Sequence, residues 1–245
     1  MDATALYVLA VILIATLIRS TFGFGEALVA VPLLALRIPI AVAAPLAVLV
    51  SVAVAGLIVA QDWRHIELRS AGWLIVSALL GIPLGLFLLT HASDQVVRLL
   101  LGFVIVGFAL YSIIARTKLR LETDHLAGLL GAGFCSGILG GAYGMNGPPL
   151  AIYGALRRWS PQRFRATLQG YFLAASLAGL VGYAAVGLWR APVTRYFVLS
   201  LPCVILGVVA GRWLNGRLRG DRFLTIVYAG LIATGTILIV QALAA

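Results

Sequence analysis

The few polar residues that lie inside otherwise apolar sequence gather in two glycine-rich stretches. The first reads Arg19-Ser-Thr-Phe-Gly-Phe-Gly-Glu26, and Glu26 is the only acid within any apolar segment. A carboxylate in lipid is costly unless it faces a partner or water, which makes Glu26 a candidate functional residue. Burial also disfavours its ionised form, so we predict that Glu26 couples a process to protons. The alternative is a structural ion pair with Arg19 or with a loop arginine.

The glycines of this first stretch predict a break in the helix that contains them. Gly23 and Gly25 lower the helical propensity and let backbone groups come close to whatever lies at the bend. The N–H donors of an opened helix end attract anions. Gly23 and Gly25 are therefore candidate substrate-binding positions for an anion.

The second stretch reads Gly140-Gly-Ala-Tyr-Gly-Met-Asn-Gly-Pro-Pro149. Its two prolines donate no backbone hydrogen bonds, and Pro148 disfavours a helical conformation at Gly147, so a helix should break here. In lipid, broken backbone is tolerated only where protein or a water-lined cavity satisfies it. Asn146 can donate to an anion, so Asn146 and Gly147 join the predicted site. The structural alternative is tight helix crossing through small residues, as at Gly133, Gly137 and Gly140 or Gly144.

An arginine-rich stretch follows the second break and leads into the next apolar segment. It carries Arg157, Arg158, Arg163 and Arg165. Such a cluster is typical of a cytoplasmic anchor. Arg165 stands apart because it precedes Thr167 and Gln169 at the mouth of an apolar helix, where Arg165 and Gln169 would share a face. We predict that Arg165, Thr167 and Gln169 contribute to anion binding.

The elements that must position these residues are membrane helices. Of 245 residues, 62% are hydrophobic and 11% are charged, whereas a soluble domain carries about 25% charged residues. The apolar stretches are continuous, which excludes a transmembrane β-barrel with alternating residues. They run at 4–36, 40–60, 71–90, 96–115, 126–156, 167–188, 194–214 and 222–243. The composition thus predicts an all-α polytopic membrane protein with eight hydrophobic segments.

The chain divides into two similar repeats, 1–120 and 121–245, within one integral membrane domain. The first segment of each repeat is too long for one span and carries one of the glycine-rich stretches. Gly23 to Pro32 matches Gly140 to Pro149. Later pairs recur in the same order: Trp63-Arg64 with Trp189-Arg190, Gly81 and Gly85 with Gly207 and Gly211, and Gly102 and Gly107 with Gly230 and Gly235. This order favours a duplication over chance recurrence of glycine.

The basic residues indicate how the repeats are oriented. If all eight segments cross, the two sides carry 10 and 7 basic loop residues, with Arg19 left uncounted. If the first and fifth segments are broken hairpins, the counts become 13 and 4. The positive-inside rule therefore favours hairpins, inverted repeats and non-cytoplasmic termini over kinked full spans. The loop from Arg116 to His125 would then be cytoplasmic.

The remaining reactive residues support no enzyme, cofactor or metal site. Cys135 and Cys203 lie in apolar segments without a partner pattern, and His65, His91 and His125 are expected in loops away from any catalytic pair. No nucleotide-binding motif is present. The net charge of +10 is mostly arginine in short loops, which indicates membrane topology and no nucleic-acid partner.

The two glycine stretches with their following proline and leucine, together with Arg165-Ala-Thr167, resemble the sulfite exporter TauE/SafE family. The resemblance runs from about Phe22 to Leu243. It implies a multi-pass protein of the bacterial cytoplasmic (inner) membrane that moves sulfite, a sulfonate or another organosulfur anion. The family's motif usually has a third glycine where this chain has Glu26.

The sequence therefore predicts a secondary transporter for a small anion, with its site where the two breaks meet. A non-transporting membrane anchor or accessory subunit of an enzyme complex is the alternative. Whether the chain pairs into a homodimer stays open.

Overall fold

The computed structural model describes residues 2–62, 68–114, 126–157, 161–215 and 220–244. Within these ranges the chain forms ten helices and no strand. The helices are α1 (Ala3–Phe22), α2 (Glu26–Ala35), α3 (Ile40–Asp62), α4 (Leu68–His91), α5 (Asp94–Ile114), α6 (Leu126–Tyr143), α7 (Gly147–Leu156), α8 (Pro161–Ala185), α9 (Ala191–Asn215) and α10 (Gly220–Ala244). The predicted all-α class is confirmed.

Eight of these helices are long and apolar enough to cross a membrane, as the composition predicted. The exceptions are α2 and α7, with 10 residues each, because a span needs about 20 residues. Two boundaries differ from the apolar segments. Helix α8 starts at Pro161, before the expected 167, and α4 continues through His91, which was expected in a loop. Helix α4 continues there because the N–H of Ala92 still bonds to the carbonyl of Leu88 at 3.0 Å.

Glycines in the left-handed conformation end α1 and α6. Gly23 has φ 87° and donates its N–H to the carbonyl of Arg19 at 2.6 Å. Gly25, directly before α2, has φ 97°. Gly144 has φ 67° and closes α6 in the same way on Gly140, at 2.8 Å. Only glycine adopts such angles without strain, so these residues fix where the helices stop.

Helix α2 folds back along α1, and the pair forms a hairpin. The Tyr7 hydroxyl, on α1, donates to the carbonyl of Leu33, near the end of α2, at 2.6 Å. A straight helix would hold residues 26 positions apart at roughly 39 Å. Helix α7 returns along α6 likewise, since a Cβ added at Gly128 would lie 3.1 Å from Tyr153 Cε2.

The first helix of each half packs in parallel against the fourth helix element of the other. On α9, a Cβ at Gly207 would lie 3.0 Å from Thr16, and one at Gly211 would lie 2.5 Å from Ser20. Helix α4 meets α6 with the same spacing: a Cβ at Gly81 would lie 3.1 Å from Gly137, and one at Gly85 would lie 2.9 Å from Gly141. Such approach requires small residues at the crossing.

The second pairing is antiparallel and joins the last helices of the two halves. Gln95, at the start of α5, donates to the carbonyl of Ala242, at the end of α10, at 2.6 Å. Farther along, a Cβ at Gly102 would lie 2.9 Å from the carbonyl oxygen of Gly235. Helix α1 of the first half packs against α9 of the second, and α6 of the second half packs against α4 of the first. Each half therefore makes the same contacts with the other, as two equivalent units would.

Gly23 and Gly144 occupy equivalent positions, each directly after the first helix of its half. The sequence match had instead paired Gly23 with Gly140. Helices α1 and α6 end at Phe22 and Tyr143, and their crossings with α9 and α4 keep this same offset. The sequence match is therefore shifted by one helical turn. Glycine recurs every turn along α6, so that sequence alone offered several registers of similar quality.

Many large apolar side chains face outward around the bundle. Leu80 and Phe87 on α4 are 68% and 61% exposed, and Val209 on α9 is 64% exposed. Water would penalise such a surface, whereas hydrocarbon solvates it. The exposed belts thus form the lipid-facing surface, and the polar residues of interest lie inside.

Candidate functional site

A cavity lies between the two helix breaks. It is small and partly open, with room for about one water molecule. The first break contributes the segment from Phe24 to Leu28, and the second contributes Gly144, Asn146 and Gly147. Arg19 of α1, Ser51 of α3 and Phe172 of α8 complete its wall. The two broken segments therefore meet at one site, drawn from both halves of the chain.

Arg19 is the central charge of this site. Its side chain is 3% exposed, and its Nη1 donates to the Glu26 carboxylate. The same nitrogen donates to Ser51 Oγ at 2.8 Å. Nη2 donates to Gln169 Oε1 at 2.9 Å, and the guanidinium lies 5.2 Å from the centre of the Phe172 ring. A buried arginine held by an ion pair, neutral acceptors and an aromatic face is stable in a membrane interior.

Glu26 lies opposite Arg19 at the start of α2. Its side chain is 2% exposed and pairs with Arg19 through Oε2. The position suits a carboxylate because the first turn of a helix favours negative charge. The structure thus places Glu26 in the ion pair that was the structural alternative for this residue.

Two buried polar atoms of the Arg19–Glu26 pair at the cavity, Arg19 Nε and Glu26 Oε1, have no hydrogen-bond partner. Asn146 Oδ1 has none either, and it packs against Gly140. Buried polar atoms in proteins are nearly always satisfied, by protein or by water. Their presence around one cavity indicates that it receives water or a polar ligand.

The amino terminus of α2 adds backbone donors to the same cavity. The first intrahelical bond of α2 is Val29 N–H to the Gly25 carbonyl at 3.1 Å, and the N–H groups of Glu26, Ala27 and Leu28 have no intrahelical acceptor. All three residues line the cavity. Helix α7 differs, because its first turn contains Pro148 and Pro149, which lack N–H groups. The structure therefore concentrates anion-attracting groups on the α2 side.

The predicted site residues fall into three groups. Gly25, Glu26, Asn146 and Gly147 line the cavity. Gly23 and Gln169 lie behind it, where Gln169 Nε2 donates to the Gly23 carbonyl at 2.6 Å and Oε1 accepts from Arg19. Thr167 is buried outside the lining. Arg165 belongs to α8, but its side chain lies outside the described residues.

The second break is tight at one glycine and open at another. A Cβ at Gly144 would lie 3.0 Å from the carbonyl oxygen of Ala44, so this residue needs close backbone approach. A Cβ at Gly147 would make only ordinary contacts, 3.9 Å from Phe172 Cζ. Gly147 therefore leaves open space at the cavity wall, and its contact with an anion stays a prediction. Gly133 and Gly137 form the helix crossing with α4, joined by Gly141 and not by Gly140.

Sequence reasoning gave Arg19 only the role of a partner for Glu26, and it overlooked Ser51 and Phe172. A signal for Arg19 existed, since it is the only basic residue in the interior of an apolar segment. Ser51 and Phe172 carried none, because serine and phenylalanine are common in membrane helices. Their roles depend on how α3 and α8 pack against α1.

The described residues offer few groups for metal binding or catalysis. No group of three or more His, Cys, Asp or Glu residues there could hold a metal ion. His91 stacks on Phe87 with ring centres 4.2 Å apart, at the exposed end of α4. Cys135 and Cys203 are free thiols, and His65 and His125 lie outside the described residues.

A bundle of membrane-length helices around a charged cavity, built where two helices break, is the architecture of a membrane transporter. The chain belongs to the sulfite exporter TauE/SafE family, whose model matches residues 8–238. The protein described as "Probable sulfite/organosulfonate exporter TauE" of Cupriavidus necator is 24% identical over 214 residues, which cover 84% of this chain and 82% of the relative. No solved structure matches the chain at a significant level.

The family and the eight membrane-length helices together make the chain a multi-pass transporter of the bacterial cytoplasmic (inner) membrane.

Proposed function

We propose that this protein exports sulfite or an organosulfonate, and that the anion binds in the cavity between the two helix breaks. The observation that carries the proposal is the buried Arg19 guanidinium beside the amino terminus of α2. Guanidinium and backbone N–H groups are the donors that oxyanions prefer. The relative from Cupriavidus necator is described as a sulfite/organosulfonate exporter, and a sulfur oxyanion suits these donors.

The residues assigned to the anion follow from their places around the cavity. Gly25, Asn146 and Gly147 would contact it, and Gln169 would orient Arg19 while holding Gly23. Thr167 and Arg165, near the start of α8, stay predicted contributors to anion binding. Glu26 would carry the coupled proton, because its position beside Arg19 ties its charge to the charge of the ligand.

Inverted repeats would supply alternating access around this site. Two features support this arrangement. Helices α1 and α2 form a hairpin, as do α6 and α7, and each half packs against the other through equivalent helix pairs. The positive-inside rule would place the basic stretches that follow α5 and α9 in the sequence in the cytoplasm and both termini outside. The interrupted helices favour a transporter over a membrane anchor of an enzyme complex, and a homodimer stays a prediction.

A ligand scan of the purified protein tests the proposed substrate class. Sulfite, methanesulfonate, isethionate, acetate and chloride would be added to protein in detergent, and the unfolding temperature would be followed. A bound ligand stabilises the folded state by mass action, by about 2.7 kcal/mol at a hundredfold excess over Kd. We expect sulfite or a sulfonate to stabilise the protein more than chloride at equal ionic strength. Equal effects of all five anions would contradict the proposal.

A further inference from the structure

The carboxylate of Glu26 occupies the place on Arg19 that an anionic ligand would take. Arg19 has three nitrogens, and the ion pair uses only Nη1. Nη2 is held by Gln169, while Nε of Arg19 and Oε1 of Glu26 have no partner. Arginine binds an oxyanion most strongly through two parallel hydrogen bonds. The observed pair is a single contact, and it is one that a better-placed oxyanion could replace.

We infer that the transported anion displaces Glu26 from Arg19, and that Glu26 takes up a proton when it is displaced. This inference rests on the proposed function and defines how its site works. In the step, an anion oxygen accepts the hydrogen bonds of the guanidinium, and one proton from the buffered solution binds a carboxylate oxygen of Glu26. No covalent bond between heavy atoms forms or breaks.

The charge balance of the cavity requires the proton. Arg19 and Glu26 together are neutral, and a monovalent anion would leave the buried site with one negative charge. Both side chains are at most 3% exposed, so water screens little of that charge. An uncompensated buried charge is strongly unfavourable, and protonation of Glu26 restores neutrality. Anion and proton therefore bind together, and each raises the affinity for the other.

Among the residues that the structure describes, no other titratable group at the cavity competes for this role. Among its described lining residues, Arg19 and Glu26 are the only ionisable ones. The other charged groups described near α2 lie at its opposite end: Arg37 over the Tyr7 ring, and Arg98, which bonds to the Ala35 carbonyl and to Asp94. The coupling accordingly belongs to Glu26.

Calorimetry with methanesulfonate tests the inference, because this ligand stays ionised across the neutral pH range. Titrations in two buffers of different ionisation heat give the number of protons taken up per anion bound. We expect one proton per anion at pH above the Glu26 midpoint, and an affinity that falls about tenfold for each further pH unit. The Glu26→Gln variant should bind with no proton uptake and no pH dependence.

Two further variants complete the test. Asp94→Asn is the matched control, since it removes a carboxylate paired with an arginine outside the cavity, and it should behave as the wild type. The double variant Arg19→Gln/Glu26→Gln removes both charges together and should lose binding. Binding without proton uptake in the wild type, or unchanged uptake in Glu26→Gln, would overturn the inference alone. Absence of binding to the wild type by methanesulfonate, sulfite and isethionate alike would contradict the proposed function as well.

Discussion

Removing one partner of the Arg19–Glu26 pair should destabilise the protein far more than removing both. Each side chain is at most 3% exposed. In Glu26→Gln the guanidinium keeps only Ser51, Gln169 and the Phe172 ring, and in Arg19→Gln the carboxylate loses its one hydrogen-bonded partner. Each single change should cost about 3–5 kcal/mol, the usual penalty for leaving a buried charge unpaired. The double change leaves two neutral amides and should stay close to the wild type.

Equilibrium unfolding in mixed detergent micelles measures these differences as a double-mutant cycle. Because the two single changes should cost about 3–5 kcal/mol each and the double change almost nothing, we expect a coupling energy of about 6–10 kcal/mol. Asp94→Asn provides the control for an exposed pair, whose contribution is about 0.2–1 kcal/mol; the Asp94 side chain is 59% exposed. Additive single and double effects would refute the claim that the two buried charges depend on each other.

Four variants address the site, the topology and the coupling. Gly147→Ala should fold and transport, since its Cβ has ordinary contacts. Gly147→Val should fill the cavity and lower sulfite or sulfonate flux at least about tenfold. Normal flux in a folded valine variant would show that the second break is not part of the site. A cysteine placed at Thr117, outside the described residues, should resist an impermeant thiol reagent in whole cells if the loop is cytoplasmic; labelling would disprove the inverted orientation. The Glu26→Gln variant should still exchange anions across the vesicle membrane, but a pH gradient should no longer drive their accumulation. Unchanged gradient-driven flux in a folded variant would show that Glu26 has no coupling role.

The fold class followed from sequence because the bilayer imposes it. Continuous apolar segments of about 20 residues have only one stable form in lipid, the helix. Gly23, Gly25 and the Pro148-Pro149 pair marked where two segments are interrupted, since neither residue type continues a helix at low cost. These are local properties of the chain, and periodicity and composition report them directly.

The composition of the site was less accessible, because it depends on packing between distant helices. Glu26, Asn146 and Gly147 were found since polar or helix-breaking residues stand out in apolar sequence. Ser51 and Phe172 come from α3 and α8 and meet Arg19 only through tertiary contacts. The register between the repeats failed for a related reason: glycines at every turn of α6 gave several equivalent alignments, and only the crossing with α4 selects one.

Flux through the purified protein tests the central claim most directly. Proteoliposomes would be loaded with radiolabelled isethionate, and efflux would be compared with protein-free liposomes and with the Arg19→Gln/Glu26→Gln variant. If the anion crosses through the cavity at Arg19, efflux should be saturable, should require the wild-type protein, should be inhibited by unlabelled sulfite or sulfonate, and should be absent from the double variant. Efflux of sulfite and isethionate at the protein-free rate, from wild-type protein that remains folded in the bilayer, would contradict the central claim.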